Sequence, residues 1–141
     1  MDYQKLANEL LKNLLMHHRV KPKKNIDEFL LGENFVLAYI NGQNGDVQPG
    51  EIRGAMNVST ARIASALNNL EKKELITREI DTKNRRQILV KITEKGKELA
   101  ENHKKEVLGL AVKMLKLLGE YDAREYVRIT KRMAEILPQI N

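Results

Sequence analysis

Apolar residues recur through most of the chain at three-to-four-residue spacing, which aligns side chains on one face of a helix. In the first half, this pattern predicts helices over residues 2–18, 33–41 and 60–73, and a short helix that starts near Pro49. Proline suits a first helical position because its missing N–H needs no partner there. The apolar positions behind these predictions are Leu6, Leu10, Leu14, Leu15, Phe35, Val36, Tyr39, Ile40, Ile52, Ala55, Met56, Ile63, Ala66, Leu67 and Leu70.

A tight turn is predicted between the short helix and the helix over residues 60–73. Asn57 tolerates the left-handed backbone conformation better than any residue except glycine, so the chain is expected to turn there. Ser59 is the expected N-cap of the next helix, because its hydroxyl can accept a hydrogen bond from the first turn. These two helices are therefore expected to form a helix-turn-helix.

The helical spacing gives way to β-branched residues over residues 75–80 and 87–92, which predicts two strands joined by residues 81–86. After this hairpin, Thr93 is the expected cap of a long helix over residues 94–118. Asp122 and Glu125 predict a capping box at the start of a last helix that ends near Ile136. The expected fold is mainly α with a small β-hairpin wing: a winged helix-turn-helix with N- and C-terminal dimerisation helices.

The helix over residues 60–73 has an unusual polar face. An ordinary solvated face is rich in glutamate and lysine, whereas this face carries short hydrogen-bonding groups that suit close approach to another surface. Such a helix fits the major groove of DNA, where Arg62 is expected to bridge guanine O6 and N7. Asn68 and Asn69 lie later, where an adenine edge and a phosphate are both open as partners. The candidate DNA-binding residues are Ser59, Thr60, Ala61, Arg62, Ser65, Asn68, Asn69 and Lys72.

Most of the net charge of +6 lies in one segment. Between Ser59 and Lys97 there are ten basic and five acidic residues, against 25 and 19 in the whole chain. A basic segment of this kind indicates a polyanionic partner. The wing loop is expected to place an arginine in the minor groove. The candidate residues of the wing are Lys83, Asn84, Arg85 and Arg86.

The composition excludes several other classes of protein. A chain of 141 residues without cysteine is long enough for one core and has no disulfides or thiolate metal sites. It has no apolar run of the ~18 residues that a membrane span needs, and no signal-peptide pattern, so a cytoplasmic location is expected. No glycine-rich phosphate loop or paired histidine motif is present, so neither an enzyme nor a cofactor is predicted.

Two runs of residues, from Asn69 to Ile76 and from Asp81 to Gly96, carry a family resemblance together with Val58, Ser59 and Thr60. From about residue 31 to residue 99, the chain resembles the multiple antibiotic resistance regulator (MarR) family. The resemblance implies a homodimer held by the first and last helices, and repression, or less often activation, at a pseudo-palindromic operator. It also implies relief of repression by a small ligand, often a phenolic or aromatic anion.

Three positions depart from the family pattern. Asn84 stands where the family usually has an aspartate that orients the arginine two residues later, so Arg86 is expected to be less fixed unless Asp81 replaces that aspartate. Glu74 stands where the recognition helix usually ends in glycine. A glutamate at positive φ would cost on the order of 1 kcal/mol, so a different helix end is expected. Ser65 stands where arginine is common, so the operator is expected to be particular to this chain.

The expected organisation has three parts. Residues 1–30 form an N-terminal dimerisation helix and linker, residues 31–93 the winged helix-turn-helix, and residues 94–141 the C-terminal dimerisation helices. An effector is expected in the crevice between the dimerisation helices and the winged helix, where it would change the spacing of the two recognition helices. The candidate effector residues are His17, His18, Phe35 and Tyr39.

Two alternatives stay open at this point. A zinc-responsive regulator of the same fold would use His103 with Glu33, Glu101 or Glu106, and a winged-helix module would bind a protein in place of DNA. No metal site is predicted, because His17 and His18 face ~100° apart on their helix. The main expectation is a transcriptional regulator whose partners are double-stranded DNA, a second copy of the chain and a small aromatic or anionic effector.

Overall fold

The computed structural model describes residues 1–20, 26, 32–43, 46–84 and 86–140. The predicted fold, mainly helical with one hairpin, is confirmed, and the ends of the elements agree with the predicted ends to within two residues. In chain order they are α1 (Tyr3–Val20), α2 (Gly32–Gly42), α3 (Pro49–Met56), α4 (Thr60–Lys72), β1 (Ile76–Ile80), β2 (Ile88–Ile92), α5 (Glu94–Leu118), α6 (Glu120–Ile136) and a 3-10 turn (Leu137–Gln139).

The hydrophobic core lies where α2, α3 and α4 pack against the hairpin and the start of α5. Neither α1 nor α6 has a buried residue among those described. The core therefore anchors one face of α4 and leaves the opposite face to solvent. The buried residues are Val36, Leu37, Ile40, Val47, Ile52, Ile63, Leu67, Leu70, Leu75, Ile76, Val90 and Ala100.

The wing contains a one-residue bridge that the sequence pattern does not predict. β1 and β2 are antiparallel, with Ile76 opposite Ile92 and Ile80 opposite Ile88. Val47 pairs with Val90 on the other edge of β2, and the N–H of each donates to the carbonyl oxygen of the other, at 3.1 and 2.7 Å. The bridge ties the segment before α3 to the wing.

The turn between α3 and α4 has the predicted geometry. Asn57 is left-handed, with φ 55° and ψ 49°, and its N–H donates to the carbonyl oxygen of Arg53 at 2.9 Å. Ser59 is extended, and its hydroxyl accepts a hydrogen bond from the N–H of Arg62 at 3.3 Å. The left-handed turn at Asn57 and the cap at Ser59 are thus both confirmed.

The end of α4 differs from expectation, because Glu74 does adopt a positive φ, of 62°. The expected change in the helix end is wrong: the chain keeps the geometry of a glycine-ended helix with a glutamate in place. Hydrogen bonds hold this turn, since the N–H of Leu75 donates to the carbonyl of Leu70 at 3.0 Å. The Thr93 hydroxyl also donates to the carbonyl of Glu74 at 2.7 Å. One local and one tertiary hydrogen bond therefore offset the local strain.

Replacing Glu74 with glycine is expected to stabilise the protein. Glycine adopts this φ without the steric penalty, and after its larger loss of chain entropy the gain should be about 0.5–1 kcal/mol in the free energy of unfolding. Denaturant titration measures the change. The control is Glu74→Ala, which removes the same carboxylate but keeps a Cβ. An equal gain in both variants would show that the carboxylate, not the backbone, causes the effect.

The first turn of α5 approaches the end of α4 closely. Thr93 caps α5 as predicted: its hydroxyl accepts from the N–H of Gly96 at 3.0 Å, and its own N–H donates to the carbonyl of Leu75 at 3.0 Å. Lys95 Nζ donates to the carbonyl of Lys73 at 3.1 Å. A Cβ at Gly96 would overlap the Leu75 carbonyl oxygen, so this approach requires glycine. These contacts form the α4–α5 junction.

The capping box predicted at Asp122 is wrong. α6 begins two residues earlier, at Glu120, and its N-cap is Gly119, which has φ 88° and makes no side-chain cap. A glycine at positive φ allows α6 to follow α5 almost at once, so the local turn, and not the carboxylate pattern, decides where α6 begins. Asp122 lies inside the first turn of α6, where a negative charge is favourable.

Large apolar side chains on α1, α5 and α6 are not covered by the rest of the chain. Leu10 is 56% exposed, Leu15 67% and Leu117 90%. Exposure of this many large apolar side chains is typical of an interaction surface. Among the described helices, none combines the length and the hydropathy needed to cross a membrane.

Candidate nucleic-acid interface

α4 presents its predicted polar residues to solvent. Ile63, Leu67 and Leu70 face the core and fix the orientation of the helix. Helical spacing places Ala61, Ser65, Asn68 and Lys72 in one stripe on the opposite side. All eight candidate residues are exposed: Ser59, Thr60, Ala61, Arg62, Ser65, Asn68, Asn69 and Lys72.

Arg53 on α3 belongs to the same surface, although it is not among the residues predicted from the sequence. Its Nη1 donates to the Thr60 hydroxyl oxygen at 2.8 Å, and the side chain is exposed. Because Thr60 accepts from Arg53, its own O–H remains able to donate to another acceptor. A basic residue seven positions before the start of α4 is the signal that could have identified it.

Arg78 on β1 connects the wing to the second half of α4. Its Nη2 donates to Asn68 Oδ1 at 2.8 Å and to Glu71 Oε1 at 3.0 Å, and its Nε donates to Glu71 Oε2 at 3.4 Å. The hydrogen bond from Arg78 lowers the pKa of Glu71. We refer to Asn68, Glu71 and Arg78 as the Arg78 cluster.

The wing loop is held by its own short side chains. Asp81 Oδ1 accepts from the N–H of Lys83 at 2.9 Å, and Asn84 Oδ1 accepts from the N–H of Arg86 at 3.2 Å. Neither side chain pairs with the Arg86 guanidinium in the part of the chain that the structure describes. Asn84 therefore orients the backbone at Arg86, and Asp81 does not replace the family aspartate. Arg85 lies outside the described residues.

Ion pairs divide the basic residues of this region into two groups. Lys73 pairs with Glu33 at 2.7 Å, Arg78 with Glu71, and Lys91 with Glu79 at 3.2 Å. A second group has no acidic partner within the described ranges, so its positive charge is available to a polyanion. On α3, α4 and the wing loop, this group consists of Arg53, Arg62, Lys72, Lys83 and Arg86; Lys95 and Lys97 on α5 also lack an acidic partner there.

The candidate effector residues do not come together in the structure. Phe35 and Tyr39 stack, with ring centroids 6.4 Å apart, whereas His17 and His18 are exposed on α1. No described contact joins these histidines to the aromatic pair. Phe35 lines a cleft of 470 Å³ between α2, α3 and α4, whose wall includes Arg62.

His103 lies against α2, beside Asn34, Leu37 and Ala38. Two of its expected helper carboxylates have other contacts, because Glu33 pairs with Lys73, and Glu101 accepts from Asn41 Nδ2 at 2.7 Å. The described residues contain no group of three or more histidines and carboxylates placed to hold a metal ion.

Acid should weaken the contact between α2 and the end of α4. The hydrogen bond from Lys73 lowers the pKa of Glu33 in the folded protein. Ionised Glu33 therefore contributes fully to the free energy of unfolding above about pH 4.3, the ordinary pKa of glutamate, and this contribution is lost as pH falls through the lowered pKa. The thermal midpoint of Glu33→Gln should therefore lie below that of the wild type at pH 6, and the gap should narrow toward pH 3. If the difference in thermal midpoint caused by Glu33→Gln narrowed equally in a Lys73→Met background, Lys73 would not be the cause of the lowered pKa of Glu33.

The fold and the exposed polar face of α4 define a winged helix-turn-helix protein. Residues 33–110, more than half of the chain, match the sequence family described as winged helix DNA-binding domain. The chain belongs to this family. Among curated proteins, no sequence matches it.

Solved structures similar to the whole chain show the same fold. YusO from Bacillus subtilis is 24% identical with a TM-score of 0.68, covering 96% of this chain and 98% of that one. FabT from Streptococcus pneumoniae, in complex with DNA, is 22% identical with a TM-score of 0.70, covering 99% and 100%. A MarR transcriptional regulator from Methanosarcina mazei Go1 is 20% identical with a TM-score of 0.71, covering 97% and 99%. The resemblance to the MarR family is confirmed at the level of the fold.

Proposed function

We propose that the chain is a transcriptional regulator that binds a pseudo-palindromic operator in double-stranded DNA as a homodimer. The observation that carries this proposal is the outer face of α4, where short polar groups surround Arg62 and every candidate side chain is exposed. A buried apolar face holds the helix rigidly, as base reading requires. Solved complexes of FabT and of MepR from S. aureus with DNA are among the structurally similar proteins.

The residues of the interface divide by role. Thr60, Ala61, Arg62 and Ser65 lie in the first turns of α4, where side chains of a docked helix reach base edges. Asn68, Asn69 and Lys72 lie further along and contact phosphate. From the wing, Lys83, Arg85 and Arg86 contact the minor groove or its rim, and Asn84 shapes the loop. Arg53 adds a cation next to Thr60.

A homodimer accounts for the uncovered apolar residues of α1, α5 and α6. Two-fold symmetry then places two copies of α4 about 34 Å apart, one turn of DNA. Leu14→Asp is expected to shift the mass measured by light scattering toward the 16.2 kDa of one chain. The control is Lys12→Asp, because residue 12 lies ~200° from residue 14 around the helix. A dimer of unchanged stability in Leu14→Asp would contradict an interface on α1.

We also propose that the regulator is a repressor and that a small aromatic or anionic ligand relieves repression. The stacked Phe35 and Tyr39 are the aromatic candidates, and His17 and His18 the polar ones. Such a ligand acts only if it binds one spacing of the recognition helices more tightly than the other. Isothermal titration with candidate ligands, in the presence and absence of operator DNA, tests this coupling.

Selection of binding sites from random duplex DNA at ~150 mM salt tests the main proposal. The expected product is an inverted repeat with half-sites about ten base pairs apart. Arg62→Ala in the same selection should fail to enrich that repeat. If a folded, dimeric wild-type protein enriches no sequence, the proposal is wrong, and the winged-helix module that binds protein becomes the better description.

A further inference from the structure

We infer that Arg78 is a positioning residue of the DNA interface: it holds Asn68 so that the side-chain amide nitrogen of Asn68 donates to a phosphate oxygen of the DNA. Arg78 itself contacts no DNA. The inference deepens the proposed function and rests on it. It also changes the sequence-based interpretation, which left both an adenine edge and a phosphate open to Asn68.

The geometry of the Arg78 cluster supports a fixed arrangement. Asn68 and Glu71 are three residues apart on α4, so their side chains lie on the same side of the helix. The guanidinium of Arg78 reaches both, with Nη2 shared between Asn68 Oδ1 at 2.8 Å and Glu71 Oε1 at 3.0 Å. A planar fork with two anchors restricts Asn68 more than a lysine ammonium would.

The charge of Arg78 is already compensated. Glu71 accepts hydrogen bonds from two of its nitrogens, and the exposed fraction of the Arg78 side chain is only 28%. Arg53 and Arg62 differ, because both are exposed and neither has an acidic partner in the described ranges. Arg78 should therefore contribute nothing to the salt dependence that counts phosphate contacts.

The direction of the Asn68 amide follows from the chemistry of arginine. A guanidinium has only donors, so the atom of Asn68 that faces it must be the carbonyl oxygen. Pairing with an adenine edge uses that oxygen as the acceptor for N6. Arg78 on β1 already takes one of the two lone pairs of that oxygen and holds it toward the wing, which makes it a poorer acceptor for N6. In the described part of the chain, the NH2 of Asn68 donates to no partner. An exposed NH2 in the second half of α4 suits a phosphate oxygen.

Three variants test the inference on the selected operator. Asn68→Ala should lower the affinity about 30-fold, because the dimer loses one hydrogen bond in each of its two copies. Asn68→Asp keeps an acceptor for Arg78 but turns an anionic oxygen toward the DNA, so a larger loss, of at least about 100-fold, is expected with no drop in thermal midpoint. Glu71→Gln/Arg78→Ala removes the pair at constant net charge and should lower the affinity about as much as Asn68→Ala does.

Two readouts separate positioning from direct contact. Glu71→Gln/Arg78→Ala should leave the slope of log affinity against log salt unchanged, whereas loss of one phosphate contact in each copy of the dimer would reduce it by about 1.8. In an Asn68→Ala background, the same double variant should lower the affinity for the operator by less than about two-fold. The matched control is Glu120→Gln/Arg124→Ala, which removes an exposed ion pair on α6.

A readout without DNA keeps the inference separate from the proposed function. In the free protein, the side-chain amide NMR signals of Asn68 should shift in Glu71→Gln/Arg78→Ala and stay unchanged in the α6 control. A reduced salt slope, or an equal affinity loss with and without Asn68, would overturn the role of Arg78. If operator selection fails while the amide signals shift as expected, the proposed function is wrong and Arg78 is only a structural contact.

Discussion

Arg62→Ala is expected to remove sequence-specific DNA binding while leaving the fold intact. Arg62 lies in the first turn of α4, is exposed, and pairs with no acidic residue in the described part of the chain. A bidentate contact from arginine to guanine contributes about 1–3 kcal/mol of discrimination. Because a dimer has two such contacts, the affinity for the operator should fall between about 30-fold and 10⁴-fold.

Fluorescence anisotropy with the selected operator and with a scrambled duplex measures this effect. The ratio of the two affinities should collapse in Arg62→Ala, whereas binding to the scrambled duplex should weaken only slightly. Arg124→Ala on α6 is the matched control, because it removes the same charge from an exposed position outside the DNA interface. Equal losses on both duplexes would mean that Arg62 contacts phosphate and reads no base.

Gly96→Ala is expected to destabilise the protein strongly, although it adds only one methyl group. The new Cβ would overlap the Leu75 carbonyl oxygen and lie 2.9 Å from Ile92 Cγ1. The carbonyl cannot move freely, because it accepts from the N–H of Thr93 at 3.0 Å. Overpacking of this kind costs about 1–3 kcal/mol in the free energy of unfolding, and more when backbone must shift.

Gly109 offers a matched control within the same helix. Within one chain, a Cβ at Gly109 would meet nothing within 4 Å, so Gly109→Ala makes the identical chemical change without a clash there. An alanine inside a helix is more favourable than a glycine by about 1 kcal/mol, so this variant should gain stability. In chemical denaturation, the free energy of unfolding should therefore fall in Gly96→Ala and rise in Gly109→Ala. A similar effect in both would show that the α4–α5 junction has room for a side chain.

Local signals predicted most of the fold. Apolar spacing predicted the helices, β-branched residues predicted the hairpin, Asn57 predicted the left-handed turn, and Ser59 and Thr93 predicted two caps. Each of these depends on residues within one or two turns of each other. The start of α6 was predicted wrongly from Asp122, because a glycine at positive φ sets that turn instead.

Features that depend on distant residues could not be predicted in the same way. Besides a local hydrogen bond, the positive φ of Glu74 is supported by Thr93, 19 residues later, whose hydroxyl donates to the Glu74 carbonyl oxygen. The polar face of α4 was evident from the sequence. The basic residues between Ser59 and Lys97, however, could not be ranked from the sequence by their availability to DNA. Only the structure separates Arg78, which is paired with Glu71, from Arg62, which is not.

The α4–α5 junction couples the orientation of α4 to the position of the distal end of α5. With 25 residues at ~1.5 Å each, α5 is about 37 Å long, and its first turn is hydrogen-bonded to the end of α4. A tilt of about 5° at the junction moves the distal end of such a rod by about 3 Å. Conversely, a displacement of several ångströms at the distal end of α5 would rotate the winged helix-turn-helix by only a few degrees. Because α5 is long, a large movement at its far end would therefore change the angle of α4 only slightly.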